Sequence, residues 1–262
     1  MRVFITLISL AALGCALTIA VAGPGTQMGW WDFSTGFKLI RQVSSPINIT
    51  EGFGLSPIFT LAGLSVLGGI FALVTRPRSL GVFAIVCALL ALGAAQVPLK
   101  MRADVAANPI IHDITTDFDN PPPIVAGASK DRKNPPEYVG DKLVYNSEIT
   151  VAEAQAAAFP DLTAHKVNAG LDETAEIVRQ ILDDMKMELL DETLSDEGWL
   201  IEAEYKSKWF GFYDDFVVRL VPEGSLTKVD VRSKSRVGGS DLGANAARIR
   251  TFFEKLDAAK SL

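Results

Sequence analysis

The chain has 262 residues, enough for one large domain or two small ones, and 48% of them are hydrophobic, which raises the question of a bilayer at once. Its 25 basic and 31 acidic side chains divide unevenly: residues 1–99 hold five basic and two acidic groups, net +3, and residues 100–262 hold 20 and 29, net −9. An acidic soluble part repels a phosphate backbone and excludes nucleic acid as a partner, and two cysteines supply neither a disulfide framework nor a thiolate metal site.

The first twenty residues after Arg2, VFITLISLAALGCALTIAVA (3–22), carry no charge. At a helical rise of about 1.5 Å per residue such a run matches a hydrocarbon core roughly 30 Å thick. Residues 58–75 and 80–99 repeat the pattern, so three transmembrane helices are expected, with Cys15 and Cys87 inside them as small hydrophobes. The first run also has features of a cleaved signal peptide, with Arg2 ahead of it and Ala20, Ala22 and Gly23 at its end; its length favours retention as a span. Lipidation through Cys15 fits less well, because the apolar run continues past the cysteine. Between the first two spans, GWWDFSTGFKLIRQVSSPI suits the membrane interface as a short amphipathic helix anchored by Trp30 and Trp31.

Arg76 and Arg78 lie in the tight turn between the second and third spans, on the same side as Arg2, while Lys100 and Arg102 vote the other way. The first set places the amino terminus and this turn in the cytoplasm and residues 100–262 outside it.

Residues 118–142, FDNPPPIVAGASKDRKNPPEYVGDK, are rich in proline, glycine and charge and predict irregular chain wrapped on the soluble domain. Thr150 and Glu153 form a capping box that opens the helix VAEAQAAAF, and a second amphipathic helix is expected from Asp172 to about Met187. Strands follow at Leu189–Leu194, Trp199–Phe210, Phe216–Val221 and Leu226–Val237, joined by turns short enough to require antiparallel neighbours. A last helix is expected from about Leu242 to Ala258, with Ile249, Phe252, Phe253 and Leu256 inward. The fold class is α+β: three membrane helices, then a two-layer domain with helices on one face of an antiparallel sheet.

Three blocks, IIHDITTD (110–117) followed by Pro121-Pro122, GFYDD (211–215) and above all VRSKSRVGGSDLGANAARI (231–249), resemble a bacterial and plastid family known as the domain of unknown function number 1499, over roughly residues 108–258. The resemblance implies an exported or membrane-attached envelope protein, here one in a bacterial inner membrane with its carboxy-terminal domain in the periplasm. It implies no activity.

The last block also holds the main candidate site. Strand alternation sends Asp230, Arg232, Lys234 and Arg236 to one face, and Gly238, Gly239 and Ser240 then lead into a helix. One reading is a cradle in which these cations and the amides at the helix start grip a phosphate, sulfate or carboxylate. The other pairs Arg232 and Arg236 with Asp214, Asp215, Glu202 or Glu204 on neighbouring strands, and Asp241, at the helix start, would itself repel an anion. His112 beside Asp113 has the makings of an acid–base pair, but no Gly-x-Ser-x-Gly elbow accompanies it. His112 and His165 with scattered carboxylates lack a metal-ligand spacing, and the glycine patterns of nucleotide binding are missing, so no metal and no cofactor is expected. Trp209, Phe210, Phe212 and Tyr213 around Gly211 would line an apolar pocket or plug the sheet end. The expected partners are membrane lipid and a protein of the envelope, with the soluble domain binding that partner or a lipid or anionic ligand. The alternative is an enzyme of unfamiliar type acting on a phosphorylated or carboxylated substrate at Arg232 and Arg236.

Overall fold

A computed structural model describes residues 1–50, 53–75 and 77–259. Arg76, one of the two arginines used to orient the spans, lies outside the described residues. The chain divides into two compact units, Met1–Ala103 with Lys208–Gly211, and Asp104–Ser207 with Phe212–Leu262.

In the first unit, α1 (Arg2–Gln27), α3 (Pro57–Thr75) and α4 (Arg78–Ala107) are each long and apolar enough to cross a membrane. Their common core is built from small side chains, Ala12, Ala16, Ala62, Ala88, Ala91 and Ala95, which let helix backbones approach closely. Leu7, Leu17, Leu67, Phe71 and Leu89 face outward, as lipid-facing positions do. The Ser9 and Ser65 hydroxyls meet at 2.8 Å, and Ser65 donates to the Ala84 carbonyl at 2.8 Å, so one polar chain ties all three helices. The interfacial segment forms α2 (Phe33–Ser44), capped by Asp32, whose carboxylate accepts from the Thr35 amide. A two-stranded ribbon, β1 (Ile47–Thr50) and β2 (Phe53–Leu55), leads into α3. Two aromatics expected to close the sheet belong to this unit instead: Phe210 stacks on Phe37 with centroids 4.7 Å apart, and Trp209 lies where a Cβ on Gly23 would fall.

The second unit is an antiparallel sheet in the order β3 (Asp113–Thr115), β8 (Leu226–Ser235), β7 (Tyr213–Glu223), β6 (Gly198–Lys206) and β5 (Glu188–Ser195), with β4 (His165–Val167) also on the outer edge of β8. The long strands match the alternation in the sequence. β3 and β4 were not foreseen, since three residues are too few to show a period of two. One sheet face, Ile201, Ala203, Phe216, Val218, Leu220, Val229 and Val231, is covered by α6 (Leu171–Asp184) and α7 (Ala244–Ala259) through Val178, Ile181, Ile249, Phe252 and Leu256. The remaining helix, α5 (Val151–Ala158), has both bonds of its capping box, and its buried Gln155 exchanges hydrogen bonds with the backbone of Thr115 on β3.

Helices therefore lie on one face, as the α+β reading requires, and the Pro-rich segment lies on the other. Phe252, fully buried against Phe216 with centroids 5.4 Å apart, fastens α7 to the sheet. Phe252→Ala is expected to lower stability by about 3–5 kcal/mol, whereas Leu194→Ala, on an exposed position, should change it by less than about 0.5 kcal/mol; thermal melting of the full chain in detergent measures both.

Candidate functional site

The candidate residues sit on the sheet face opposite the helices. β3 pairs with β8 so that Asp113 lies beside Lys234 and one step from Arg232. The Asp113 carboxylate, fully buried, accepts from Arg232 Nε and Nη2 at 2.9 and 3.0 Å and from Lys234 Nζ at 2.8 Å. Each cation then spends its remaining donors on the Pro-rich segment: Arg232 on the carbonyls of Pro122 and Pro136, Lys234 on that of Glu137. Burial pulls the Lys234 ammonium below its ordinary pKa, against the opposing pull of Asp113. The Arg232 guanidinium also stacks over Tyr138, 5.5 Å from its ring centroid.

Arg236 resolves a different problem. Glu204 and Asp215 are direct cross-strand neighbours, a like-charge pair that repels. The Arg236 guanidinium bridges them at 2.7 and 2.8 Å, and Arg132 from the Pro-rich segment adds a bond to Asp215 at 2.9 Å. Glu202 has no ion-pair partner among the described residues; its two oxygens accept the amides of Val125, Ala126 and Gly127, at 2.9 to 3.2 Å. Gly127 must be glycine at this approach, because a Cβ there would stand 2.5 Å from Asp215 Oδ1. Four cations, Arg132, Arg232, Lys234 and Arg236, pair with three carboxylates, Asp113, Glu204 and Asp215, and with Glu202 counted in, the set under the Pro-rich cover is formally neutral.

Most of the donors expected to cradle an external anion are engaged by acceptors within the domain; Arg236 Nη2 is the exception, ion-paired with Glu204 Oε2 at 2.7 Å but buried without a hydrogen bond among the described residues. The helix-start amides of Gly243 and Asn245 donate to the Asp241 carboxylate at 2.8 and 2.9 Å. Gly238 adopts φ +90°, and its carbonyl accepts from the Asn134 amide group. The Ser240 hydroxyl accepts the Leu242 amide. Of the partners foreseen for Arg236, Asp215 and Glu204 are found; the partner of Arg232 is Asp113, and Asp214 takes Arg248 instead.

His112 and Asp113 share no side-chain hydrogen bond among the described residues. Asp113 is held by Arg232 and Lys234, while the His112 carbonyl accepts from Ser235 and Asn245 and its Nε2 is buried without a hydrogen-bond partner among the described residues. Burial holds the His112 imidazole below its usual pKa, with Asp113 opposing and Lys234 reinforcing the shift. Among the described residues no group of three His, Cys, Asp or Glu side chains is placed to hold a metal ion. Sequence reasoning missed Asp113 as a counter-ion, Arg132 as a bridge and Glu202 as an anchor for backbone amides. The signal for Arg132 was the Pro-rich segment itself, irregular chain whose carbonyls, such as that of Gly127, need donors from side chains.

A sheet with helices on one face and an ion-paired, Pro-rich cover on the other, in a chain with three apolar spans, defines a membrane protein with an α+β domain. The profile of the family described as "Protein of unknown function (DUF1499)" matches residues 113–256, more than half of the chain, and the chain belongs to that family. The match covers the sheet, its helices and the Pro-rich cover, and leaves out the spans. No curated protein matches the chain.

Asp113→Ala is expected to cost about 3–5 kcal/mol, because it strands two buried cations. Replacing all three charges by apolar groups, Asp113→Leu with Arg232→Met and Lys234→Met, should recover much of that loss in the same melting assay. His112 predicts a pH effect of definite sign. Its folded pKa lies below the unfolded value near 6.5, so its contribution to stability is full above about pH 6.5 and is lost as pH falls toward the folded pKa. Melting temperatures between about pH 5 and 8 should show that slope, and His112→Gln should flatten it.

Proposed function

We propose that this protein belongs to the bacterial inner membrane, that residues 100–262 stand in the periplasm, and that this domain works by binding a partner protein rather than by turning over a substrate. The observation that carries the reading is the neutral, buried state of the candidate site. An anionic ligand or lipid headgroup at Arg232, Lys234 and Arg236 would have to displace Asp113, Asp215 and Glu204 together with the Pro-rich segment they hold. A catalytic role for His112 and Asp113 meets the same obstacle, because the carboxylate already serves two cations at hydrogen-bonding distance. Arg2 and Arg78 at one set of span ends support the orientation.

Two measurements test this. Alkaline phosphatase fused after Leu262 should be active in intact cells and green fluorescent protein at the same position dark; the reverse result overturns the placement. Titrating inorganic phosphate into the full chain in lipid nanodiscs should leave its melting temperature unchanged. A rise that saturates, and that Arg236→Gln abolishes, would restore an anion site, since a ligand bound only to the folded state must raise stability.

A further inference from the structure

The sheet has one open side. β3 and β4 together cover the outer edge of β8, while β5 at the opposite end has a partner only in β6 among the described residues. An edge strand turns alternate NH and CO groups outward, a template for another strand. The outward side of β5 is exposed, with Leu189 and Leu194 about half accessible, and a bulge between Leu189 and Asp191 confines regular geometry to Asp191–Ser195.

The charge around this edge is unlike that of the rest of the chain. Residues 171–197, comprising α6, β5 and the turn that follows, hold ten acidic and two basic side chains, a net charge of −8 against −6 for the whole protein. Arg179 is committed to Glu176 and Glu192, and Asp184 to Lys255. Glu173, Asp183, Glu188, Asp196 and Glu197 have no ion-pair partner among the described residues. Asp191 and Glu192 point to opposite sides of β5, so the edge is acidic on both.

Resting on the partner-binding reading above, we propose that the β5 edge docks an extended, lysine- or arginine-rich segment of a partner protein as an added strand. Backbone groups of Asp191–Ser195 supply the pairing, and the surrounding carboxylates select the partner's charge. A second copy of this chain is a poor occupant, because two faces of −8 would meet.

The test uses the full chain in nanodiscs and a fluorescent ten-residue peptide of alternating lysine and valine, read by polarisation. The peptide should bind, and a version with two central valines replaced by proline should bind at least about tenfold more weakly, because it keeps the charge and loses the strand. Leu194→Pro, which removes an outward-facing NH, and the pair Glu188→Lys with Asp191→Lys should each weaken binding by about tenfold without moving the melting temperature. Equal binding of the two peptides, or no binding of either, overturns the docking edge. The phosphate titration separates the two levels: a silent phosphate result with no peptide binding sinks only the edge, and a saturating phosphate response sinks the partner-binding reading itself. If either β5 variant unfolds, the comparison of the two peptides on the unaltered chain decides alone.

Discussion

The Asp113 carboxylate, shared between Arg232 and Lys234 beneath a layer of irregular chain, is the interaction on which the second face of the sheet depends. Burying three ionised groups together is unfavourable unless each finds a partner and every remaining donor is used. Here the surplus donors are used. Prolines have no NH, so a segment such as Pro121-Pro122-Pro123 cannot pair as a strand and leaves carbonyls needing donors. Arg232, Lys234 and Arg132 provide them, Asn134 in turn donates from the segment to the carbonyls of Ser235 and Gly238, and Glu202 takes the amides of Val125, Ala126 and Gly127 where the 3-10 turn Ala126–Ser129 begins. Charged side chains do on this face what a second sheet or a helix layer does elsewhere: they satisfy the covering backbone.

This arrangement also specifies pairing. β3 has three residues, and its hold on β8 would slip easily if it rested on backbone bonds alone. A shift by one residue would carry Asp113 to the helix side, away from both cations, and leave them buried without a counter-ion. The ion pairs thereby select one register for a strand that arrives 119 residues before its partner in the chain. Arg236 has the same role between β6 and β7, where the adjacent Glu204 and Asp215 are compatible only with a cation between them.

Much of this was legible in the sequence, and the limits have physical causes. The period of two in residues 199–237 marks which face of β6, β7 and β8 meets the helices, because apolar side chains there are in contact with α6 and α7. The same period says only that the other face is polar. Glu202, Glu204, Arg232 and Lys234 read as readily as solvated groups, and their burial depends on residues 118–142 folding back over them, an event with no periodic trace. Asp215 and Glu204 stood among the four acidic partners offered for Arg232 and Arg236 because they lie on neighbouring strands of one meander; Asp113 could not be matched to Arg232, because β3 is short and distant in sequence. The apolar spans, the capping box at Thr150 and the helix stripe through Ile249 and Phe252 were visible because each is a local pattern.

Neutrality inside the domain changes what its net charge means. With the buried set balanced four against four, and with Asp117 and Asp230 matched to Arg219 and Lys228, the acidity of residues 100–262 has to appear at the surface. It appears mainly on one helix and one strand. Screening limits such a field to about 10 Å at ordinary salt, so it acts on what approaches β5 and α6 and little elsewhere. This domain ties its buried charges into structure and leaves uncompensated charge on α6 and the β5 edge, the distribution that the proposed docking of a basic strand calls for.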